Sequence, residues 1–259
     1  METISLQRDG DVLVATIDHP SSPVNAVDAA LHHDLGELVS TLKRERSARA
    51  VLLTGAGKAF SAGGDMDWFP QLRSVEAVHG LRKDGRQLIW DLLDVEIPIV
   101  CGLNGSAAGL GASVALLCDV VVMSERAVIV DPHVTVGLVA GDGGAAIWPL
   151  LVGPLAAKRH LLLGEPLTAD AALAAGVAAE VCAPDDVGER AMAWARRLAA
   201  GAPLAVQGTK TAINAQIRQA LLASFDLSTA LEIPCMLSAD HVEAVDAYVA
   251  KRTPRFEGR

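Results

Sequence analysis

The sequence predicts an α/β body followed by a helical C-terminal third, and two observations lead to this fold class. Short apolar runs of strand length alternate with segments whose apolar residues recur at helical spacing. Strands separated by helices imply right-handed crossovers and a parallel sheet. After Pro184 the strand signals stop, and helical patterns continue to the end of the chain. We therefore expect an α/β core over residues 1–200 and a helical region over residues 201–259.

The predicted strands are short runs rich in β-branched residues. They are Val12 to Asp18, Val51 to Thr54, Ile97 to Leu103, Val120 to Met123 and Val177 to Cys182. Between them, Asp28 is a candidate cap for a helix that reaches about Arg46, and apolar spacing predicts a second helix from Ser74 to Asp94. After Pro184 the predicted helices are Val187 to Ala200, Leu204 to Ala223, Ser224 to Leu237 and His241 to Arg252.

Composition excludes several classes of function. A chain of 259 residues that is 51% hydrophobic is long enough to bury a large core. The formal net charge of -9 argues against a surface for nucleic acid or anionic membrane. The N-terminal residues lack the pattern of a signal peptide, and the four cysteines show no Cys-x-x-Cys spacing. These features predict reduced thiols and a cytoplasmic protein.

Two glycine-rich turns stand out, Ser61 to Asp65 and Asn104 to Gly111. Each follows a predicted strand and has little side-chain bulk, so backbone N-H groups can approach a ligand closely. The second turn opens a helix, whose first N-H groups are free and carry the positive end of the helix dipole. Neither turn has the spacing of a nucleotide motif, and the chain contains no Gly-x-Ser-x-Gly elbow.

Four blocks of sequence resemble the enoyl-CoA hydratase/isomerase superfamily, which has the crotonase fold. They are Val24-Asn25-Ala26, Val51 to Asp65, Pro98 to Asp119 and Lys251 to Phe256. The resemblance spans essentially the whole chain. It implies a spiral of ββα units with a C-terminal helical region that covers the active site and mediates trimerisation, and an assembly of trimers or paired trimers.

The resemblance also implies a site for an acyl-CoA thioester. The backbone N-H groups of Gly64 and Leu110 would form an oxyanion hole, since α-proton removal, hydration and hydrolysis all place negative charge on the thioester oxygen. The residues expected around coenzyme A are Ala26, Lys58, Ala62, Asp65 and Met66. Coenzyme A would enter as part of the substrate, and no metal or other cofactor is implied.

The two glutamates of the family's hydratases are absent, because Ser113 and His133 occupy those positions. His133 has an ordinary pKa close to neutral, which suits general acid or base catalysis. Asp142 lies in another glycine turn and is a candidate to orient and charge-stabilise His133, or to cap the helix predicted from Ala145 to Leu151. We therefore expect a His133 and Asp142 pair to replace the glutamates.

Other interpretations of these residues stay open. A similar His and Asp pair occurs in the superfamily's β-diketone hydrolases, and thioester hydrolysis is a related alternative. The order Ser113, His133, Asp142 also permits a nucleophilic triad. A catalytically inactive coenzyme A-binding subunit would likewise lack the glutamates.

Aromatic and basic residues complete the candidate site. Trp68 and Phe69, directly after the first glycine turn, are candidates for the acyl pocket. The clusters Arg82, Lys83 and Arg86, or Lys251, Arg252 and Arg255, are candidates for nucleotide phosphates or simply solvated faces.

Overall fold

The chain folds into twelve strands and nine α-helices, and the computed structural model describes every residue from Met1 to Arg259. The strands are β1 (Ile4–Asp9), β2 (Val12–Ile17), β3 (Ala26–Val27), β4 (Ala50–Gly55), β5 (Ala59–Ser61), β6 (Gly63–Gly64), β7 (Ile99–Leu103), β8 (Ser106–Ala108), β9 (Val120–Ser124), β10 (Val128–Val130), β11 (Leu167–Thr168) and β12 (Glu180–Cys182). The helices are α1 (Ala29–Arg44), α2 (Val75–Leu93), α3 (Leu110–Leu116), α4 (Gly144–Val152), α5 (Pro154–Leu163), α6 (Ala169–Ala174), α7 (Val187–Ala199), α8 (Pro203–Met236) and α9 (Ala239–Val249).

Three sheets position these elements. The largest has six strands in the order β1-β2-β4-β7-β9-β12, and all of its pairs are parallel except β1 with β2. A second sheet has the order β11-β10-β8-β5, and β3 pairs with β6. The predicted α/β class with parallel pairing is confirmed. Strand β1 and the short strands of the two smaller sheets were not predicted, because their sequences lack a clear strand pattern.

The first two helices begin where their caps predict. The carboxylate of Asp28 accepts from the N-H of Leu31 at 2.9 Å, and the hydroxyl of Ser74 accepts from the N-H of Ala77 at 3.1 Å. Each side chain satisfies an N-H group that lacks an acceptor within the helix. Local capping chemistry therefore fixes where α1 and α2 start, and α2 becomes one wall of the candidate site.

The C-terminal region differs from the prediction in one respect. The two helices expected over Leu204 to Ala223 and Ser224 to Leu237 form a single helix, α8, of 34 residues. The predicted break at Ser224 is wrong because its hydroxyl donates to the Ala220 carbonyl inside the helix at 3.3 Å, so this polar side chain does not interrupt the backbone ladder.

Helix α8 packs against α2 and α4. It is also tied to the body by Lys210, whose buried ammonium donates to Asp119 at 2.7 Å and to the Ile97 carbonyl at 3.0 Å. No single helix has the length and apolar composition of a membrane span. Helices α8 and α9 have that length and composition only when they are taken together, and they are bent by 69° relative to each other.

Candidate active site

A cavity of about 480 Å³ lies between the glycine-rich turns, helix α2 and the C-terminal half of helix α8. Its wall is largely apolar, with a small number of charged side chains, as is usual for small-molecule sites. The predicted site residues that line it are Ala26, Ala62, Gly64, Asp65, Met66, Trp68, Phe69, Leu110, His133 and Asp142. Lys58 is exposed and Ser113 is buried, and neither belongs to the wall.

The side chain of Asn25 supports the first glycine turn through hydrogen bonds to the backbone that precedes it. This buried residue has a positive φ of 52°, a conformation that asparagine tolerates better than most residues. Its amide nitrogen lies 3.0 Å from the carbonyl oxygens of both Ala56 and Ala59, and its amide oxygen accepts from the N-H of His19 at 3.0 Å. One buried side chain thereby anchors the backbone that leads into the turn.

The two glycine-rich turns lie side by side. A Cβ built on Gly63 would meet the Ala108 carbonyl at 3.0 Å, and one built on Gly111 would meet Ser61 at 2.6 Å. Glycine is required at both positions because the backbones approach too closely for a side chain. The turns predicted separately from the sequence therefore form one wall of the cavity.

Gly64 and Leu110 occupy this wall. Leu110 is the first residue of α3, so its N-H has no acceptor within the helix. Gly64 ends β6 at the cavity, and a Cβ there would lie 2.6 Å from the Phe69 ring. The two backbone positions named from the sequence consequently face the same space.

Facing them is a cluster of four titratable groups centred on His133. Its Nδ1 lies 2.5 Å from Oδ1 of Asp131. Its Nε2 lies 3.5 Å from Oδ2 of Asp142 and 3.8 Å from Oε1 of Glu232. A Cβ on Gly109, the residue before Leu110, would be 3.5 Å from the His133 ring. The imidazole therefore lies directly beside the turn that presents the Leu110 N-H.

The glycines around Asp142 make room for this cluster. A Cβ on Gly141 would lie 2.1 Å from the carboxylate of Glu232, and one on Gly144 would lie 2.0 Å from the carboxylate of Asp131. Gly143 has a φ of 117° and caps α4 without a side-chain hydrogen bond. The turn is glycine-rich because acidic groups approach its backbone from two sides. Gly143 rather than Asp142 occupies the N-cap position of this helix.

Burial and mutual charge separate the pKa values of the cluster. Burial alone would lower the pKa of His133, but the carboxylates of Asp131, Asp142 and Glu232 outweigh it and raise that pKa well above its usual value. Burial would raise the pKa of Asp131, yet the adjacent His133 lowers it. The carboxylates therefore favour the charged imidazolium, which is paired with Asp131.

The pKa values of the other two carboxyl groups are raised, whereas that of Asp131 is lowered. Burial raises the pKa of Asp142 to about 6, against the attraction of His133. Burial likewise raises the pKa of Glu232 to about 8. Between pH about 6 and 8 the cluster thus holds an ionised Asp142 and a neutral Glu232, beside an imidazole whose charged form the carboxylates favour, which is the separation that acid and base roles require.

Ser113 does not form the triad that its order in the sequence permits. Its hydroxyl donates to Oδ1 of Asp142 at 3.3 Å and makes no hydrogen bond with His133. Ser113 is also buried, so a substrate in the cavity would not reach it. The hydroxyl is therefore engaged by the carboxylate rather than by the imidazole, which does not favour the nucleophile interpretation. Ser113 instead helps to hold Asp142.

Two members of the cluster, Asp131 and Glu232, were missed in the sequence. Asp131 directly follows the strand β10 and precedes Pro132, so an acidic residue at a strand end was the available signal. Glu232 lies between Leu231 and Ile233 on α8, where an acidic residue among apolar ones could have suggested burial. Neither signal indicates that these side chains reach His133, because that contact depends on the fold.

Comparisons with known proteins agree on the family. The model of the enoyl-CoA hydratase/isomerase family matches residues 7–259. A probable enoyl-CoA hydratase from Rhodobacter capsulatus is 34% identical over 259 residues, covering 99% of this chain and 98% of the relative.

Two solved structures are informative in different ways. An enoyl-CoA hydratase/isomerase from Mycobacterium paratuberculosis is 36% identical with a TM-score of 0.90, covering 95% of this chain and 98% of that one. A β-diketone hydrolase from the cyanobacterium Anabaena, bound to (S)-3-oxocyclohexyl acetic acid, is 28% identical with a TM-score of 0.85, covering 91% of this chain and 94% of that one. Enzymes similar to this chain thus include an enoyl-CoA hydratase/isomerase and a β-diketone hydrolase.

Proposed function

Because this chain belongs to the enoyl-CoA hydratase/isomerase family, we propose that it transfers a proton at the α carbon of an acyl-CoA thioester, as a hydratase or an isomerase. The observation that carries the proposal is the contact between the second glycine turn and the His133 cluster, where Gly109 approaches the imidazole ring. Groups that stabilise negative charge and groups that move protons therefore share one cavity.

The thioester carbonyl would accept hydrogen bonds from the N-H groups of Gly64 and Leu110. Removing the α proton, or adding water at the β carbon, places negative charge on this oxygen as an enolate, and a proton added at the α carbon then removes that charge. Fixed backbone donors stabilise that charge without reorganising during the reaction. The coenzyme A moiety would lie along Ala26, Ala62, Asp65 and Met66, which are in the same wall.

The cluster would provide both a base and an acid. Asp142, which is ionised above pH about 6, accepts the proton. His133, kept charged by Asp131, and Glu232, neutral below pH about 8, are the donors. Asp142 and Glu232, from other elements, would therefore replace the two glutamates that are absent at the hydratase positions.

Product mass analysis tests this function. Purified protein is incubated with enoyl-CoA, β-ketoacyl-CoA and cyclic β-diketone substrates, and the products are identified by mass. We expect an enoyl-CoA to gain one water or to isomerise at constant mass, with coenzyme A retained. Release of free coenzyme A, or turnover of the diketone alone, would contradict the proposal.

The pH dependence of kcat/KM is expected to be bell-shaped. The rate should rise as Asp142 loses its proton near pH 6 and fall as Glu232 loses its proton above about pH 8. In Glu232→Gln the amide does not titrate and cannot donate this proton, so kcat/KM should drop and the falling limb assigned to Glu232 should disappear. Initial rates from pH 5 to 10 measure this. A falling limb unchanged in Glu232→Gln would assign that limb to another group.

Hydrolysis of a β-diketone is the second candidate, favoured by the similarity to the Anabaena hydrolase. The imidazole between Asp131 and Asp142 resembles an arrangement that could activate water. However, charging by Asp131 leaves His133 protonated at neutral pH, so it is a weak base there. The mass analysis separates this candidate, because carbon-carbon hydrolysis of a cyclic diketone yields a keto acid without coenzyme A.

A further inference from the structure

Arg82 is a charged residue in the wall of the cavity that no catalytic role accounts for. It projects from α2 toward α8, where its Nη2 donates to the Thr229 hydroxyl at 2.6 Å and lies 3.4 Å from the Asp226 carbonyl. Both acceptors are neutral oxygens. Its Nε is buried and has no hydrogen-bond partner. The guanidinium is therefore held in place but incompletely satisfied.

The neighbouring arginine is different. Arg86, one turn later on α2, also lines the cavity, but its Nε lies 2.5 Å from Oδ1 of Asp226 and its Nη2 lies 3.1 Å from Oδ2. Glu232 is the other acidic group near Arg82, and burial raises its pKa to about 8, so it is mostly neutral at pH 7. Arg82 thus carries a positive charge with no ionised carboxylate bound to it.

The position of Arg82 relates it to the acyl chain of a substrate. Its partner Thr229 precedes Glu232 by about one turn of α8, which corresponds to roughly 5 Å along the helix axis. Glu232 in turn contacts the His133 cluster. The surrounding wall is apolar and includes Val78, Leu81 and Met236. Arg82 is thus a cation without a carboxylate partner in an apolar pocket, a short distance beyond the reacting carbons.

We propose that Arg82 binds a carboxylate at the far end of the acyl chain, so that the preferred substrates are short acyl-CoA thioesters of dicarboxylic acids. Arginine suits this role because its planar guanidinium presents paired donors to a carboxylate. This inference rests on the proposed function for the placement of the thioester. A carboxylate in this position would supply both the missing counter-charge and the missing hydrogen-bond acceptors.

A phosphate of coenzyme A is the competing occupant of the guanidinium. The two possibilities predict different losses of ligand affinity when Arg82 is replaced. If Arg82 bound a phosphate, free coenzyme A and every acyl-CoA would be weakened together. If it binds an acyl carboxylate, only thioesters that carry this carboxylate are weakened.

Calorimetric binding of unreactive, saturated thioesters tests the inference independently of catalysis. Adipyl-CoA, hexanoyl-CoA and free coenzyme A are compared in the wild type, in Arg82→Met and in Arg82→Lys. Adipyl-CoA and hexanoyl-CoA have the same chain length and differ in the terminal carboxylate. We expect the wild type to bind adipyl-CoA about 10- to 100-fold more tightly than hexanoyl-CoA, as for a hydrogen bond to a charged group.

In Arg82→Met this preference should disappear, while the affinity for free coenzyme A stays the same. Arg82→Lys should keep part of the preference because the charge remains but the paired donors do not. Arg86→Met is the matched control, since Arg86 is already paired with Asp226, and it should keep the preference for adipyl-CoA. Circular dichroism verifies that each variant is folded.

Three results would overturn the inference. These are equal binding of the two thioesters by the wild type, a preference for adipyl-CoA that persists in Arg82→Met, and an equal loss of affinity for all three ligands in that variant. Because none of these ligands is turned over, each result is distinct from a failure of the proposed proton transfer. If Arg82→Met does not fold, the wild type and Arg82→Lys still decide the outcome.

Discussion

Replacing His133 by glutamine is expected to lower kcat about 10²- to 10⁴-fold, which is the usual contribution of a general acid or base. The glutamine amide can still donate to Asp131, so this buried carboxylate keeps a hydrogen bond, but it cannot exchange a proton with the substrate. KM should change little because the backbone donors and the coenzyme A contacts remain. Steady-state kinetics with the best thioester from the mass analysis measures both constants.

The control for this variant is His160→Gln. His160 is also buried, and its Nδ1 lies 2.8 Å from the Glu165 carbonyl, but it is not part of the cavity wall. Its substitution tests whether the loss of a buried imidazole alone reduces activity through stability. We expect kcat to stay within a few-fold of the wild type. Full turnover by His133→Gln would show that His133 does not transfer the proton.

The elements of the main sheet and its helices were predictable because their signals are local. Asp28 and Ser74 cap their helices through N-H groups three residues away, and apolar runs mark the buried strands. The glycine turns were also recognisable, since glycine is needed where backbones approach each other closely. What these local signals could not show is that Gly63 and Gly111 bring the two turns into one wall.

The cluster around His133 was only partly predictable for the same reason. His133 and Asp142 were found through their position in the family pattern. Asp131 and Glu232 contact the imidazole through the packing of β10 and α8, and sequence spacing does not encode that packing. Their charges also raise the pKa of His133 above its ordinary value. The sequence could not indicate this shift because a pKa depends on neighbours in space.

The presence of Asp142 and Glu232 bears on the alternative of an inactive coenzyme A-binding subunit. That alternative was motivated by the absence of two glutamates. The cavity nevertheless holds two carboxyl groups whose pKa values are raised to about 6 and about 8. Burying acidic groups reduces stability, and perturbed carboxyl groups of this kind cluster at functional sites. Their convergence on one imidazole therefore favours a catalytic cavity over a binding site alone.

Replacing Leu110 by proline is expected to lower kcat/KM about 10²- to 10³-fold, because it removes the N-H proposed to stabilise the enolate oxygen. Proline is suited to this test because Leu110 is the first residue of α3, where its missing N-H costs the helix nothing and its fixed φ is compatible with helix geometry. Because the proposed donor is a backbone N-H, this substitution deletes the donor itself.

Leu110→Ala is the matched control, because it shortens the same side chain and keeps the N-H. If Leu110 acts through its backbone, the alanine variant should retain most of the activity and the proline variant should lose it, with both variants showing similar thermal unfolding. The loss should appear mainly in kcat, since the enolate charge develops only during the reaction. Equal activity of the two variants would mean that the second glycine turn shapes the cavity without stabilising the oxyanion.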